Sequence, residues 1–255
     1  ISALLFGGRL QAVALAYLGS VVLGLFVNLF LLRKLSHSLR FRKPDNWRLF
    51  LRDSLPVGVG NLFQVASLRI SVSLVTLLAG PYATGLFAAS HRMIMAASNA
   101  PQAILNAVIP ALAAEQGEAQ TSRALVYRTL LLVLPIAVAA AGLFYWLADP
   151  LILLVFGEQY GSSVEVLRQL SPLLLPMFCG LVFFNVVLSQ NLLVGWVPWI
   201  SGAALLLNLV LCFWLIPRYG VVGAAWAVLM SESFAAFGYA AVALRFLHRQ
   251  GGKER

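Results

Sequence analysis

Three charged residues stand inside apolar runs: Arg69 in "SLRISVSLVTLLAG", Arg92 in "GLFAASHRMIMAA" and Glu232 in "AAWAVLMSESFAAFGYAA". A guanidinium keeps its proton in a protein, and a charge at bilayer depth costs at least about 2.5 kcal/mol. One carboxylate cannot neutralise two permanent cations, so at least one arginine calls for water or an anionic ligand. The planar fork of arginine suits phosphate oxygens, which it binds in bidentate fashion. The residues alone leave a second reading open, in which Glu232 bridges to Arg69 or Arg92 and the small residues around them are packing seams.

Helical spacing says which groups accompany each charge. On the face of Arg92 lie Gly85, Ala88, Ala89, Ala96, Asn99, Ala103 and Asn106; Gly58, Asn61, Ser73 and Thr76 fall near Arg69; Ala225, Ala236, Tyr239 and Ala243 share the face of Glu232. Arg69 and Arg92 flank the Gly80-Pro81 turn at equal spacing, so each sits roughly 16 Å down from it at 1.5 Å per residue. These faces predict a water-filled, cationic cavity whose substrate-binding residues are Arg69, Arg92, Asn61, Asn99, Asn106 and Glu232.

Other chemistry finds little to work with. The sequence has no zinc-ligand spacing, no Ser/His/Asp set and no paired carboxylates, so no catalytic residues, metal or cofactor are expected and the protein does not read as an enzyme. "GVG" at 58–60 lacks the third glycine and the preceding strand of a dinucleotide fingerprint. His91 reads as a structural polar residue in its helix, His37 and His248 as solvated, and Cys179 and Cys212 as inert thiols within spans.

The elements that must position these charges are membrane helices. The chain is 61% hydrophobic and 11% charged, with a mean hydropathy of +0.88, far from the roughly 25% charge of soluble domains. Runs long enough to span, about 17 to 25 residues, cover Gln11 to Leu32, Leu55 to Ala79, Gly85 to Ala113, Ala124 to Leu147, Val164 to Ser189, Trp199 to Ile216 and Val221 to Leu244. Pro101, Pro172 and Pro176 should break or kink their helices. The fold class is therefore all-α, a polytopic membrane helical bundle. The opening "ISALLFGGRL" resembles the tail of an earlier helix and its loop, so the chain is expected to be a C-terminal portion of a longer one.

Of the 18 Lys and Arg, seven lie at 33–53 and four at 245–255, whereas "ADPLILLVFGEQYGSSVEV" (148–166) carries only acids. An even number of crossings separates the two basic segments, and the positive-inside rule makes both cytoplasmic, the C-terminus included. The net charge of +9 follows from this clustering and points to anionic membrane lipids as partners rather than nucleic acid.

Several stretches in order resemble the C-terminal half of polysaccharide-type flippases of the MATE-like superfamily: "LRDSLPVGVGNLFQ", "RISVSLVTLLAGPYATGLFAASHRM", "NAPQAILNAVIPALAAE", "LLVFGEQYGSSVEVLRQLSP" and "LIPRYGVVGAAWAVLMSES". The resemblance implies one six-helix lobe at 54–245, preceded by the last helix of an N-terminal lobe at 1–32 and a basic inter-lobe loop at 33–53, and followed by a basic tail at 246–255. It implies a multi-pass protein of the bacterial inner membrane that flips polyprenyl-pyrophosphate-linked oligosaccharide for O-antigen, capsule or exopolysaccharide, alongside a polysaccharide polymerase and glycosyltransferases. Arg69 and Arg92 would hold the pyrophosphate, and Asn61, Asn99 and Asn106 the sugars. Relatives often carry an acid where this chain has Ser71, which leaves Arg69 without a near carboxylate. A lipid II flippase and a multidrug or cation antiporter of the same fold are the alternatives.

The charge asymmetry makes a topological prediction. Single cysteines replacing Ser38 and Gln159, in a background lacking Cys179 and Cys212, should react with an impermeant thiol reagent from opposite sides of intact cells. Labelling of both from outside would reverse the assignment.

Overall fold

The computed structural model describes residues 10–35, 47–99, 102, 119–189 and 193–251. Most of the basic 33–53 loop, the tail from 252, Pro101 and Asn106 lie outside the described residues. The chain divides into two units, Ile1–Trp47 and Arg48–Arg255. In the first, α1 spans Leu10–Leu35, and its side chains from Leu18 to Leu31 are exposed. Asn28 donates from Nδ2 to the carbonyl of Gly24, 2.8 Å away, so its amide is satisfied within its own helix.

The second unit is built of helices and short turns, with no strand among its described residues. It comprises α2 (Trp47–Ala97), α3 (Ala119–Trp146), α4 (Ala148–Phe156), α5 (Ser163–Leu170), α6 (Leu174–Ser189) and α7 (Val197–Gly251). Four runs are long and apolar enough to cross a membrane: Ser54–Ala97, Val126–Trp146, Ser163–Leu188 and Val194–His248. Val126–Trp146 has 21 residues, about 31 Å at helical rise, which matches a hydrocarbon core of about 30 Å. This is an all-α polytopic membrane bundle.

Ser54–Ala97 and Val194–His248, at 44 and 55 residues, are about twice too long to cross once. Both double back at a glycine. Gly80 has φ 87° and ψ 173°, and Gly220 has φ 58° and ψ −134°, conformations that side chains with a Cβ avoid. Side chains equidistant from each glycine meet. Thr84 Oγ1 donates to Thr76 Oγ1 at 2.9 Å, Asn208 Nδ2 donates to Ser231 Oγ at 3.0 Å, and the hydroxyls of Ser201 and Tyr239 lie 2.7 Å apart. In a straight helix the last two pairs would be roughly 35 and 57 Å apart. Thus α2 and α7 are each antiparallel hairpins of two arms, and Pro81 opens the second arm of α2, where its missing N–H is harmless.

The break expected from Pro172 and Pro176 is present. A 3-10 turn at Ser171–Leu173 separates α5 from α6. The end of the bundle bearing the Gly220 turn is laced by polar contacts: Arg168 pairs with Asp149, and Trp226 Nε1 donates to Gln169 Oε1 at 3.1 Å. Arg168, inside the span read from the sequence, thereby has its charge met by an acid of α4.

The core is continuous across the hairpins. Val75, Phe87 and Ile94 of α2 are buried with Val133 and Ala137 of α3, Leu167 and Leu170 of α5, and Leu174 and Phe178 of α6. A second cluster joins Val126, Val186, Val187, Val197, Ile200 and Ala243. Lipid is as apolar as these side chains, so close packing and interhelical hydrogen bonds hold the helices together. The fully buried Ala224, Ala225 and Ala227 let the second arm of α7 approach closely.

Gly80→Val and Gly220→Val should each destabilise the bundle by about 1–3 kcal/mol, the usual strain of a side chain in such a conformation. Gly85→Ala, where an added Cβ meets nothing within 4 Å, should be neutral or slightly stabilising. Thermal unfolding in detergent, followed by loss of the monodisperse peak in size-exclusion chromatography, checks both.

Candidate functional site

The arms of α2 present two faces. On the first arm Ser67, Ser71, Leu74 and Val75 are buried, whereas Asn61, Val65, Arg69, Ser73 and Thr76 form an exposed stripe. On the second arm Phe87, Ser90, His91 and Ile94 are buried, and Arg92, Ala96 and Asn99 are exposed. The hairpin register sets Arg69 across from His91, beside Arg92. Neither arginine forms an ion pair with Glu232 among the described residues. His91 stacks on Phe87 with ring centroids 5.5 Å apart, and its Nε2 is buried without a hydrogen-bond partner among the described residues.

A cavity of about 210 Å³ opens between α2, α6 and α7. Gln64 and Ser67 reach it from the first arm of α2, Ser98 and Asn99 from the end of the second, and Gln102 from just beyond. Phe178 and Phe184 of α6 supply aromatic surface, and Ser201, Glu232 and Tyr239 come from the two arms of α7. Glu232 is 12 residues from the Gly220 turn and Gln64 is 16 from the Gly80 turn. Ser201 and Tyr239 are each 19 residues from Gly220, so the cavity lies roughly 18 to 28 Å from the turns, in the middle and far parts of a bilayer-length bundle.

Its wall is polar on several sides. Tyr239 is fixed by the hydroxyl of Ser201 and by an edge-on contact with Phe184, with centroids 5.1 Å apart. Glu232 and Asn99 make no side-chain hydrogen bond among the described residues. Behind this wall is a closed network: Ser71 donates to Asn208 Oδ1 at 3.0 Å, Asn208 donates to Ser231, and Ser231 donates to the carbonyl of Val228 at 3.0 Å. Ser71 is one turn from Ser67, and Ser231 adjoins Glu232, so the network fixes the α2 and α7 backbones that carry the cavity's polar groups.

Of the residues read from the sequence as one site, the cavity brings together Glu232 and Asn99. Arg69, Arg92 and Asn61 do not line it; they lie on the exposed stripes of α2, and Asn106 is outside the described residues. Among the described residues the acidic or basic side chain that lines the cavity is thus the acid Glu232. Gln64, Ser67, Ser98, Gln102 and Ser201 were missed. Ser98, Asn99 and Gln102 form a polar cluster at the end of one arm, a signal that could have found them, and Gln64 and Ser67 share a face of their helix. Nothing in the sequence marks Ser201. Among the described residues no three of His, Cys, Asp and Glu gather in a metal-like group.

No curated protein and no solved structure matches this chain. The family described as "Polysaccharide biosynthesis protein" matches residues 3–165, more than half of the chain and including both arginine stripes. The chain, a polytopic membrane protein, belongs to the polysaccharide biosynthesis protein family.

Proposed function

We propose that the protein flips polyprenyl-pyrophosphate-linked oligosaccharide across the bacterial inner membrane by alternating access, as the C-terminal lobe of a MATE-like transporter. Residues 54–245 would form that lobe, with 1–32 ending the preceding one, 33–53 as a basic cytoplasmic connector and 246–255 as a cytoplasmic tail. The observation that carries the reading is a polar cavity inside a membrane bundle of a polysaccharide-biosynthesis family. A bundle built only for anchoring has no use for a carboxylate and several amides at that depth. Membrane lipids, a polymerase and glycosyltransferases are the partners such a step would have.

Arg69 and Arg92 serve in this reading as a fixed cationic clamp for the pyrophosphate. Their exposed faces carry small and polar neighbours, and neither cation has a carboxylate partner among the described residues. Attraction between the clamp and phosphate grows as water leaves, because the local dielectric falls. No covalent bond changes in the step. Its driving force would be an ion gradient or consumption of the glycan on the far side. A second reading, a cation antiporter of the same fold, draws on one observation: the cavity is lined by an acid, Glu232, and by no Lys or Arg among the described residues.

Arg69→Ala and Arg92→Ala in the full-length protein should abolish surface glycan in a flippase-null strain at normal protein level, with lysine restoring only part of it. Glycan at wild-type amounts from both well-expressed alanine variants would remove the clamp. Glu232→Gln should lower export at least several-fold while the folded amount stays the same. If Glu232 were instead a structural partner of Arg69, Arg69→Ala would lower the folded amount and adding Glu232→Ala would restore it.

A further inference from the structure

The cavity and the arginine stripes have opposite chemistry. Among the described residues the cavity offers one carboxyl group, three amides, and the hydroxyls of serines and Tyr239, with no Lys or Arg in its lining. Carboxyl oxygens accept hydrogen bonds, whereas amides and hydroxyls both donate and accept. That inventory matches a ligand with many hydroxyls and no charge, whose O–H groups donate to Glu232 and whose oxygens accept from Gln64 and Asn99. Phe184 gives an apolar surface on which the C–H face of a sugar ring can rest. Among the described residues the lining holds no cation to receive a phosphate.

Size separates this ligand from a bare ion. A cavity of about 150 Å³ accommodates a benzene ring, so about 210 Å³ fits one six-membered ring with its hydroxyl groups. A dehydrated cation needs six or more oxygens closed around it at about 2.3–2.6 Å, and one carboxylate in so wide a space does not supply that shell. Resting on the flippase reading for the class of substrate, we infer that the Glu232 cavity is a subsite for a single uncharged pyranose residue of the glycan, separate from the arginines. Gln64, Asn99, Ser201, Glu232 and Tyr239 are its polar contacts and Phe184 its stacking surface. The subsite extends from the depth of the arginines toward the end of the bundle away from the Gly80 and Gly220 turns.

The test uses the full-length protein in nanodiscs and saturation-transfer NMR with methyl glycosides of the common hexoses and N-acetylhexosamines. At least one glycoside should give a saturable signal, unchanged when sodium replaces potassium. Glu232→Gln and Tyr239→Phe, each verified to unfold at the wild-type temperature, should lower that signal at least five-fold. Lack of signal with every glycoside, or an undiminished signal in both variants, overturns the subsite. Displacement of the glycoside by sodium or by tetraphenylphosphonium makes the cavity a cation site and also overturns it. Geranyl pyrophosphate, measured in parallel, reads the clamp independently: its binding should vanish in Arg69→Ala and Arg92→Ala while glycoside binding persists. Glycoside binding without geranyl pyrophosphate binding would retire the clamp and leave the subsite standing.

Discussion

The hydrocarbon of a bilayer is about 30 Å thick, and a backbone within it must meet all its hydrogen bonds inside the protein. A helical run of 55 residues, about 80 Å if straight, can obey both limits only by turning sharply. Single glycines make that turn in α2 and α7, at Gly80 and Gly220. The turns then dictate which residues face each other. Ser201 meets Tyr239 and Asn208 meets Ser231 because each pair is nearly equidistant from Gly220. The same rule sets Arg69 beside the level of Arg92, so the arrangement of charge at depth follows from where two glycines sit.

Two kinds of polar group share the interior. In the Ser71–Asn208–Ser231 chain each donor ends on an acceptor and the last hydroxyl closes on the backbone of Val228. Each interhelical bond of this kind contributes only about 0.6 kcal/mol on average, yet together they hold the register of three arms. Glu232, one residue from Ser231, has no such closure among the described residues. Closed groups fix the scaffold, and open groups on that scaffold can meet a ligand without rearrangement.

Much of the scaffold was legible in the sequence because it depends on local rules. Hydropathy marked the spans, Gly80-Pro81 marked a turn, and Pro172 with Pro176 marked the break between α5 and α6. Helical periodicity also grouped Asn61, Arg69, Ser73 and Thr76 on one stripe, as found. What periodicity cannot convey is which stripe of one helix meets which stripe of another. The stripe of Arg69 is exposed, whereas the opposite face of the same arm, with Gln64 and Ser67, lines the cavity that Glu232 of α7 also lines. Ser201 illustrates the limit: a serine in an apolar run resembles any packing residue until Tyr239 is folded against it.

Ser71 shows how one substitution reshapes the electrostatics. An acid there would lie two residues from Arg69, but a buried position offers a carboxylate little solvation, and its partners Asn208 and Ser231 would have to reorganise around a charge. The hydroxyl instead completes a neutral network. The acid of this region is Glu232 inside the cavity, while the permanent positive charges remain on the exposed faces of α2. Because an arginine cannot neutralise itself by losing a proton, those faces demand an aqueous or anionic neighbour. The cavity makes no such demand. On the proposed reading the stripes would take the anionic end of a ligand and the cavity a neutral sugar, since exchanging the two would leave both guanidiniums unmatched.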